Sequence, residues 1–325
     1  MKKLNLFCLL LFIFSCTKEI EIAIPNTGHQ FVVNGFIEND ETAKILLSRS
    51  LPYFDPINSS SLLNFSDITT DLNLINDAII NITNSNGESE TLILEIGLTD
   101  TWLYNYSGTS IIGEEGVTYQ LEIIKGDTIV TAITTIPELA PINTDSLRFL
   151  YRADDSAYCY MLGHWTDPDT IGNCIRAFAK TNSIWNNNFD IVPPNDGYDD
   201  FFISMLEGNG NYNDEYVNGW SFSFPMYKGR GFWQEWGQQS NNENTEDEVD
   251  GSSGATTGFW NVGDSVQLKW SSIDRNAWDF WYSLEFNNPA GPFGAPSDAN
   301  SNINGGLGVF GGTSSQYIEL IAIPE

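Results

Sequence analysis

The sequence is poor in the side chains that most enzymes use. Its 325 residues include two histidines, His29 and His164, and neither belongs to a nucleophile or metal-protease motif. G-x-S-x-G and H-E-x-x-H are both missing, and no cysteine and histidine set has zinc spacing. His29 falls where an exposed tether is expected, and His164 falls in an expected strand, where it reads as a packed residue. Basic residues are also few: 14 Lys and Arg face 43 Asp and Glu, a formal charge of −29. Such a field repels phosphate backbones and anionic headgroups, which argues against nucleic acid as a partner. No apolar run reaches the roughly 20 residues that a transmembrane helix needs. Apolar residues nevertheless make up 41% and aromatics 13% of the chain, enough for a buried core.

What is present first is an export signal. Lys2-Lys3 precede an apolar run, Leu6 to Phe14, and Thr17-Lys18-Glu19 turn polar at once. Ile13-Phe14-Ser15-Cys16 resembles a bacterial lipobox, whose cysteine is lipidated and becomes the first mature residue. Residues 1–15 then read as signal peptide, Cys16 as the lipidation site and 16–28 as a lipid-anchored tether. The alternative is an ordinary secreted signal in which Cys16 is incidental. Lys18-Glu19 partly resembles an acidic surface-export signal, although Ile20 interrupts it, so the cell-surface face is expected over the periplasmic one. Of four cysteines, Cys8 lies in the signal, which leaves Cys159 and Cys174. In an oxidising compartment this even pair suggests a disulfide worth about 3 kcal/mol in the chain-entropy model. Two buried thiols in adjacent strands is the competing reading.

The patterning is mainly β. An immunoglobulin- or transthyretin-like antiparallel sandwich is expected over 29–140. Gln30 to Ile37, Ala43 to Ser48, Ala78 to Thr83, Thr91 to Ile96, Val117 to Ile123 and Thr128 to Thr135 read as its strands, with turn residues between. Residues 49–76 read as a long insertion. Pro137 and Pro141 mark a stiff linker. A larger, loop-rich β-domain is expected over 141–325, with strands at Asp145 to Arg152, Tyr158 to Thr166, Cys174 to Thr181, Asp264 to Trp270 and Gln316 to Ile323. One helix is predicted over about 272–286, with Ser271 and Asp274 at capping-box-like spacing. A glycine-rich segment follows at 287–312.

Four features suggest chemistry. The loop Asp167-Pro168-Asp169-Thr170-Ile171-Gly172-Asn173 offers oxygens from Asp167, Asp169 and Asn173 that suit calcium, but Asp-Pro turns are common without metal. No other cofactor is expected. Trp220, Trp233, Glu235 and Trp236 stand in an aromatic stretch rich in amides. They could form a glycan platform, against the plainer reading that the rings are core. Glu235 is also the first suspect for a carboxylate-type hydrolase. Gly306 to Gly311 matches G-x-G-x-x-G, but a strand rather than a helix follows, so a nucleotide site is rejected. The glycines read instead as positions of φ > 0 and close backbone approach. Asn241 to Asp250 reads as a solvated acidic loop.

Taken in order, several pieces resemble one family. They are the lipobox, Val32-Val33-Asn34-Gly35, Ala78 to Thr83, Tyr119-Gln120-Leu121, Ile136-Pro137 and Asp167-Pro168. The aromatic helix, Pro292-Phe293, Ser301-Asn302-Ile303 and Gly305 to Gly311 complete the set. The chain is similar over nearly all its mature length to the Bacteroidota outer-membrane lipoproteins catalogued as domain of unknown function 4249. The resemblance implies an outer-membrane lipoprotein whose partner is a TonB-dependent barrel. It carries over no catalytic residue. The expectation is therefore a non-enzymatic accessory or cargo-capture subunit. A surface glycan-binding module and a cell-envelope hydrolase are the alternatives.

Overall fold

Alternation of apolar and polar residues places strands where it is strict. Phe31–Glu38 (β1) and Thr42–Arg49 (β2) bury every second side chain and pair antiparallel. The computed structural model describes residues 29–50, 73–99, 103–182, 203–204, 211–228, 258–286 and 299–325. Those from Gln30 onward belong to one compact unit. The lipobox, residues 287–298, Trp233, Glu235, Trp236 and the acidic run to Asp250 lie outside the described residues.

Ile79–Asn84 (β3), Ser89–Thr91 (β4), Thr118–Lys125 (β7) and Thr128–Thr135 (β8) form a four-stranded sheet in the order β4-β3-β7-β8. The expected strand from Thr91 is divided. Ile93–Leu98 (β5) leaves that sheet and pairs with Leu103–Ile112 (β6), which in turn pairs with β2. The sequence reading missed β6 because its burial does not alternate: four consecutive residues, Asn105 to Gly108, are buried. Asn105 is tolerated there because its amide is saturated. Its Oδ1 accepts from Leu47 N at 2.7 Å, and its Nδ2 donates to Leu47 O and Ile75 O at 3.1 and 3.0 Å.

The second half supplies Arg148–Tyr151 (β9), Tyr158–Thr166 (β10), Cys174–Asn182 (β11), Ile203–Ser204 (β12), Asn211–Asn213 (β13), Ser221–Met226 (β14) and Trp260–Asn261 (β15). Ser265–Ile273 (β16), the helix Arg275–Phe286 (α1) and Leu307–Ile321 (β17) complete it. β9, β10, β14 and β15 make a second small sheet. All remaining strands join one nine-stranded sheet whose main path runs β12-β11-β16-β17-β1-β2-β6-β5, with β13 also on β11. Strands from both sides of residue 140 thus share one sheet. The joint is the parallel pair β1 and β17, from Val32 opposite Leu307 to Glu38 opposite Thr313.

The two small sheets pack on one face of this long sheet. Phe310 of β17 enters the first core with Val33, Leu47, Ile82, Leu121 and Val130. Ile318, an even number of residues further along, enters the second with Met161, Trp165, Leu268 and Trp270. Val309 points the other way, to Ala277 and Trp278 of α1. The helix begins later than expected because β16 continues through Ile273. Asp274 alone is its N-cap, its Oδ1 accepting from Asn276 N and Ala277 N at 2.8 and 3.1 Å. Ser271 is buried in the strand, bonded to Ser315.

The glycine-rich match is a strand, not a loop. β17 starts at Leu307, and Gly308 has φ 105°. A Cβ at Gly308 would overlap the Val33 carbonyl oxygen of β1. The expected close approach is therefore found, inside a parallel pair.

The expected disulfide is not formed: Cys159 and Cys174 carry free, buried thiols. Cys159 of β10 belongs to the second core, and Cys174 of β11 faces α1 from the opposite side of the long sheet. Burial pushes each thiol up to about 12, so both are protonated and inert at neutral pH.

Candidate binding site

Two loops meet at one end of the second core. The first, residues 167–173, joins β10 to β11, and the second, residues 214–220, joins β13 to β14. Their backbones are tied directly. Asp167 N donates to Trp220 O at 2.9 Å and Asp214 N to Asn173 O at 3.1 Å. Side chains finish the join. Asp167 Oδ2 accepts from Gly219 N at 3.0 Å, and Asp214 Oδ2 accepts from Asn173 N at 3.0 Å and from Gly172 N. Asn173 Nδ2 donates to Thr170 O and Thr170 Oγ1 at 2.7 and 3.1 Å. Asn218 also crosses the gap: in one amide orientation its nitrogen donates to Pro168 O and Thr170 O at 3.2 and 3.1 Å, and in the other it donates to Asp169 Oδ1 at 3.4 Å.

Beneath the loops lies an aromatic stack. Trp165 meets Phe222 and Trp270 edge-on with centroids 5.9 and 5.6 Å apart, and Tyr212 meets Phe224 at 4.8 Å. Trp165, Trp270 and Phe224 are core, and Tyr212 and Phe222 of the aromatic stretch pack against them. Trp220 is not core. It is 64% exposed, beside Tyr216 at 80% and with Ile171 at 91% on the facing loop. Three large side chains thus stand exposed on two loops fixed by hydrogen bonds.

The loops are electronegative. Asp167 is only 2% exposed. Burial pushes its carboxyl above the usual range, and the Asp214 charge adds to this, while the Gly219 N–H works against them. Asp214 is buried too. Of the residues expected to hold calcium, Asp167 and Asp169 come together near Gly219. The Asn173 amide instead turns back into its own loop. Asp214 and Asn218 were missed by the sequence reading, because only tertiary contact brings a loop more than 40 residues away to this hairpin. Among the described residues no three His, Cys, Asp or Glu side chains converge as a metal cluster.

The two histidines differ from each other in setting. His29 is exposed. His164 is exposed rather than packed, on the outer face of β10, with Nδ1 3.0 Å from Ser223 Oγ. Neither adjoins the loop pair's carboxylates in the hydrogen-bond network above.

The profile of the family described as Domain of unknown function (DUF4249) matches residues 17–318, all but the ends of the chain. The chain belongs to this family. No curated protein matches it. For this DUF4249 chain the match covers both loops and every described strand up to the last residues of β17. Among the described residues no helix is long and apolar enough to cross a membrane.

Proposed function

We propose that this protein is a non-enzymatic, lipid-anchored accessory of the outer membrane that captures cargo for a TonB-dependent barrel, with the two loops as its contact face. The observation that carries the reading is the set Ile171, Tyr216 and Trp220, held exposed on two cross-bonded loops. Aromatic anchors on rigid loops are the usual high-energy points of an interface. The lipobox and the family support the location at the cell surface through Cys16. The strong negative charge disfavours contact with anionic headgroups, which leaves the lipid as the membrane attachment.

A second reading is favoured by one detail. Trp220 and Tyr216 stand exposed on the same loop as Asn218, and Asp169 of the other loop lies against Gly219, between them in sequence; aromatic rings and hydrogen-bonding groups on one pair of loops suit a sugar. In this reading the cargo is a glycan.

Mild detergent extraction of the outer membrane, followed by purification of this protein, is expected to bring a barrel with it. A monodisperse lone protein would contradict the accessory role. A glycan array with Trp220→Ala as control separates the second reading: retention of a sugar by wild type but not by the variant supports it, and no retained sugar removes it.

A further inference from the structure

The first core ends in an apolar surface. Ile80, Ile123 and Val130 point into that core, so Ile79, Ile124 and Ile129 point to the opposite face of their sheet. They stand side by side across three strands, Ile79 opposite Ile124 and Ile124 opposite Ile129. β5 extends the row. Leu92 N donates to Ile80 O at 2.8 Å, which brings the start of β5 alongside the start of β3. Ile79, Ile93, Leu94, Ile96 and Ile129 are each between 44% and 58% exposed. Large apolar side chains scattered singly need no explanation, but a row of them does. The charges next to it along the chain are Glu95, exposed, and Asp77, bonded to Lys125.

The chain enters the compact unit at this same end. β1 begins at Phe31, opposite Arg49 at the close of β2. A Cβ at Gly306 would stand 2.9 Å from Phe31 O and 3.4 Å from Val130 Cγ1, and one at Gly305 would stand 3.0 Å from Ile129 O. One pair of glycines therefore separates the apolar row from the entry of the chain. Residues 16–28, the thirteen that lead here from Cys16, span at most roughly 45 Å when fully extended.

We infer that this row rests on the bilayer surface and orients the protein that the lipid on Cys16 tethers. The inference rests on the lipid-anchor reading. A bilayer, rather than a second copy of the chain, is the occupant because the segment that carries the lipid joins here. The tether holds this end close to the membrane, so even a weak apolar contact is populated. Isoleucines need no cation, which suits a chain of formal charge −29 that headgroup phosphates repel.

The full-length lipidated protein in phosphatidylcholine vesicles tests this. Cys159 and Cys174 are buried and Cys16 carries the lipid, so a cysteine introduced as Ile129→Cys takes a fluorophore alone. Quenching by brominated acyl chains is expected to be several-fold stronger there than at Tyr216→Cys. It should fall to the Tyr216 level when Ile79→Asp and Ile93→Asp are added. If Ile129→Cys does not fold, Ile96→Cys takes its place. Equal quenching at both positions overturns the proposal. So does quenching that ignores the two aspartates, because the dye itself would then be seeking the lipid. Flotation with the vesicles separates this from the anchor, since wild type should float and Cys16→Ser should not. Floating protein without the quenching difference refutes the orientation alone, whereas wild type that does not float refutes both.

Discussion

Asp274 shows how much one side chain can hold. Its Oδ1 caps α1, while its Oδ2 accepts from Thr134 Oγ1 and from Gly312 N, both at 2.7 Å. It ties β8, β17 and the helix at one point. Burial nonetheless pushes its carboxyl above the usual range, against the pull of those donors. Asp274→Ala should cost about 3 kcal/mol, a cap together with a buried Gly312 N–H left unpaired, read as a lowered urea midpoint with little change in slope. Glu90 goes the other way. Burial opposes its charge, but the N–H groups of Thr109, Ser110 and Ile111 and the Ser110 hydroxyl outweigh it and hold the carboxyl below its usual 4.5. A lowered folded value means the unfolded chain takes up the proton first on acidification. The stability Glu90 supplies is present above 4.5 and is lost as pH falls through its lowered folded value. Glu90→Gln should therefore be less stable than wild type at pH 7, with the gap closing on acidification in thermal melts. A gap that is constant with pH would show that Glu90 acts by shape alone.

Among the elements, β17 decides the architecture. It pairs parallel with β1 and antiparallel with β16, so it carries the long sheet across the middle of the molecule. Lys269 of β16 reaches past it to Glu38 of β1 at 2.6 Å, and Tyr317 Oη donates to the same carboxylate at 3.0 Å. The parallel register needs Gly308, since any side chain there would meet Val33 O with φ in the left-handed region. Gly308→Ala should cost at least about 2 kcal/mol. Hydrogen exchange should show early opening of β1 and β17 in that variant, and unchanged protection there would mean the register tolerates the methyl. The strands with strict alternation, β1, β2, β7, β8 and β10, were legible in the sequence, as was a helix near residue 275. The strand β6 was not, because polar Asn105 and Ser107 are buried by hydrogen bonds that only β2 and the segment at Ile75 provide. The β1 and β17 pair was not legible either. Parallel pairing between residues 275 apart leaves no local signature, and the glycines marked closeness without naming the neighbour.

The described residues from Gln30 onward form one long sheet carrying two small ones on the same face and a helix on the other. This arrangement fixes the loop pair at one end of the second core, above Trp165, Tyr212 and Phe224. The sequence singled out the first loop for its carboxylates and Trp220 for its ring, as separate features. The fold joins them, and adds Tyr216, Asp214 and Asn218 from the same aromatic stretch, which was read for its tryptophans and Glu235 alone. On the proposed reading, this end of a lipid-anchored protein makes the contact with the transport barrel. The most direct test is to purify wild type and the Tyr216→Ala, Trp220→Ala double variant from mildly solubilised outer membrane, and to quantify the co-purifying barrel. Wild type should retain it and the folded, membrane-anchored double variant should lose about tenfold or more, as expected for two hot-spot aromatics. Equal recovery by both proteins, or no barrel with either, would contradict the claim.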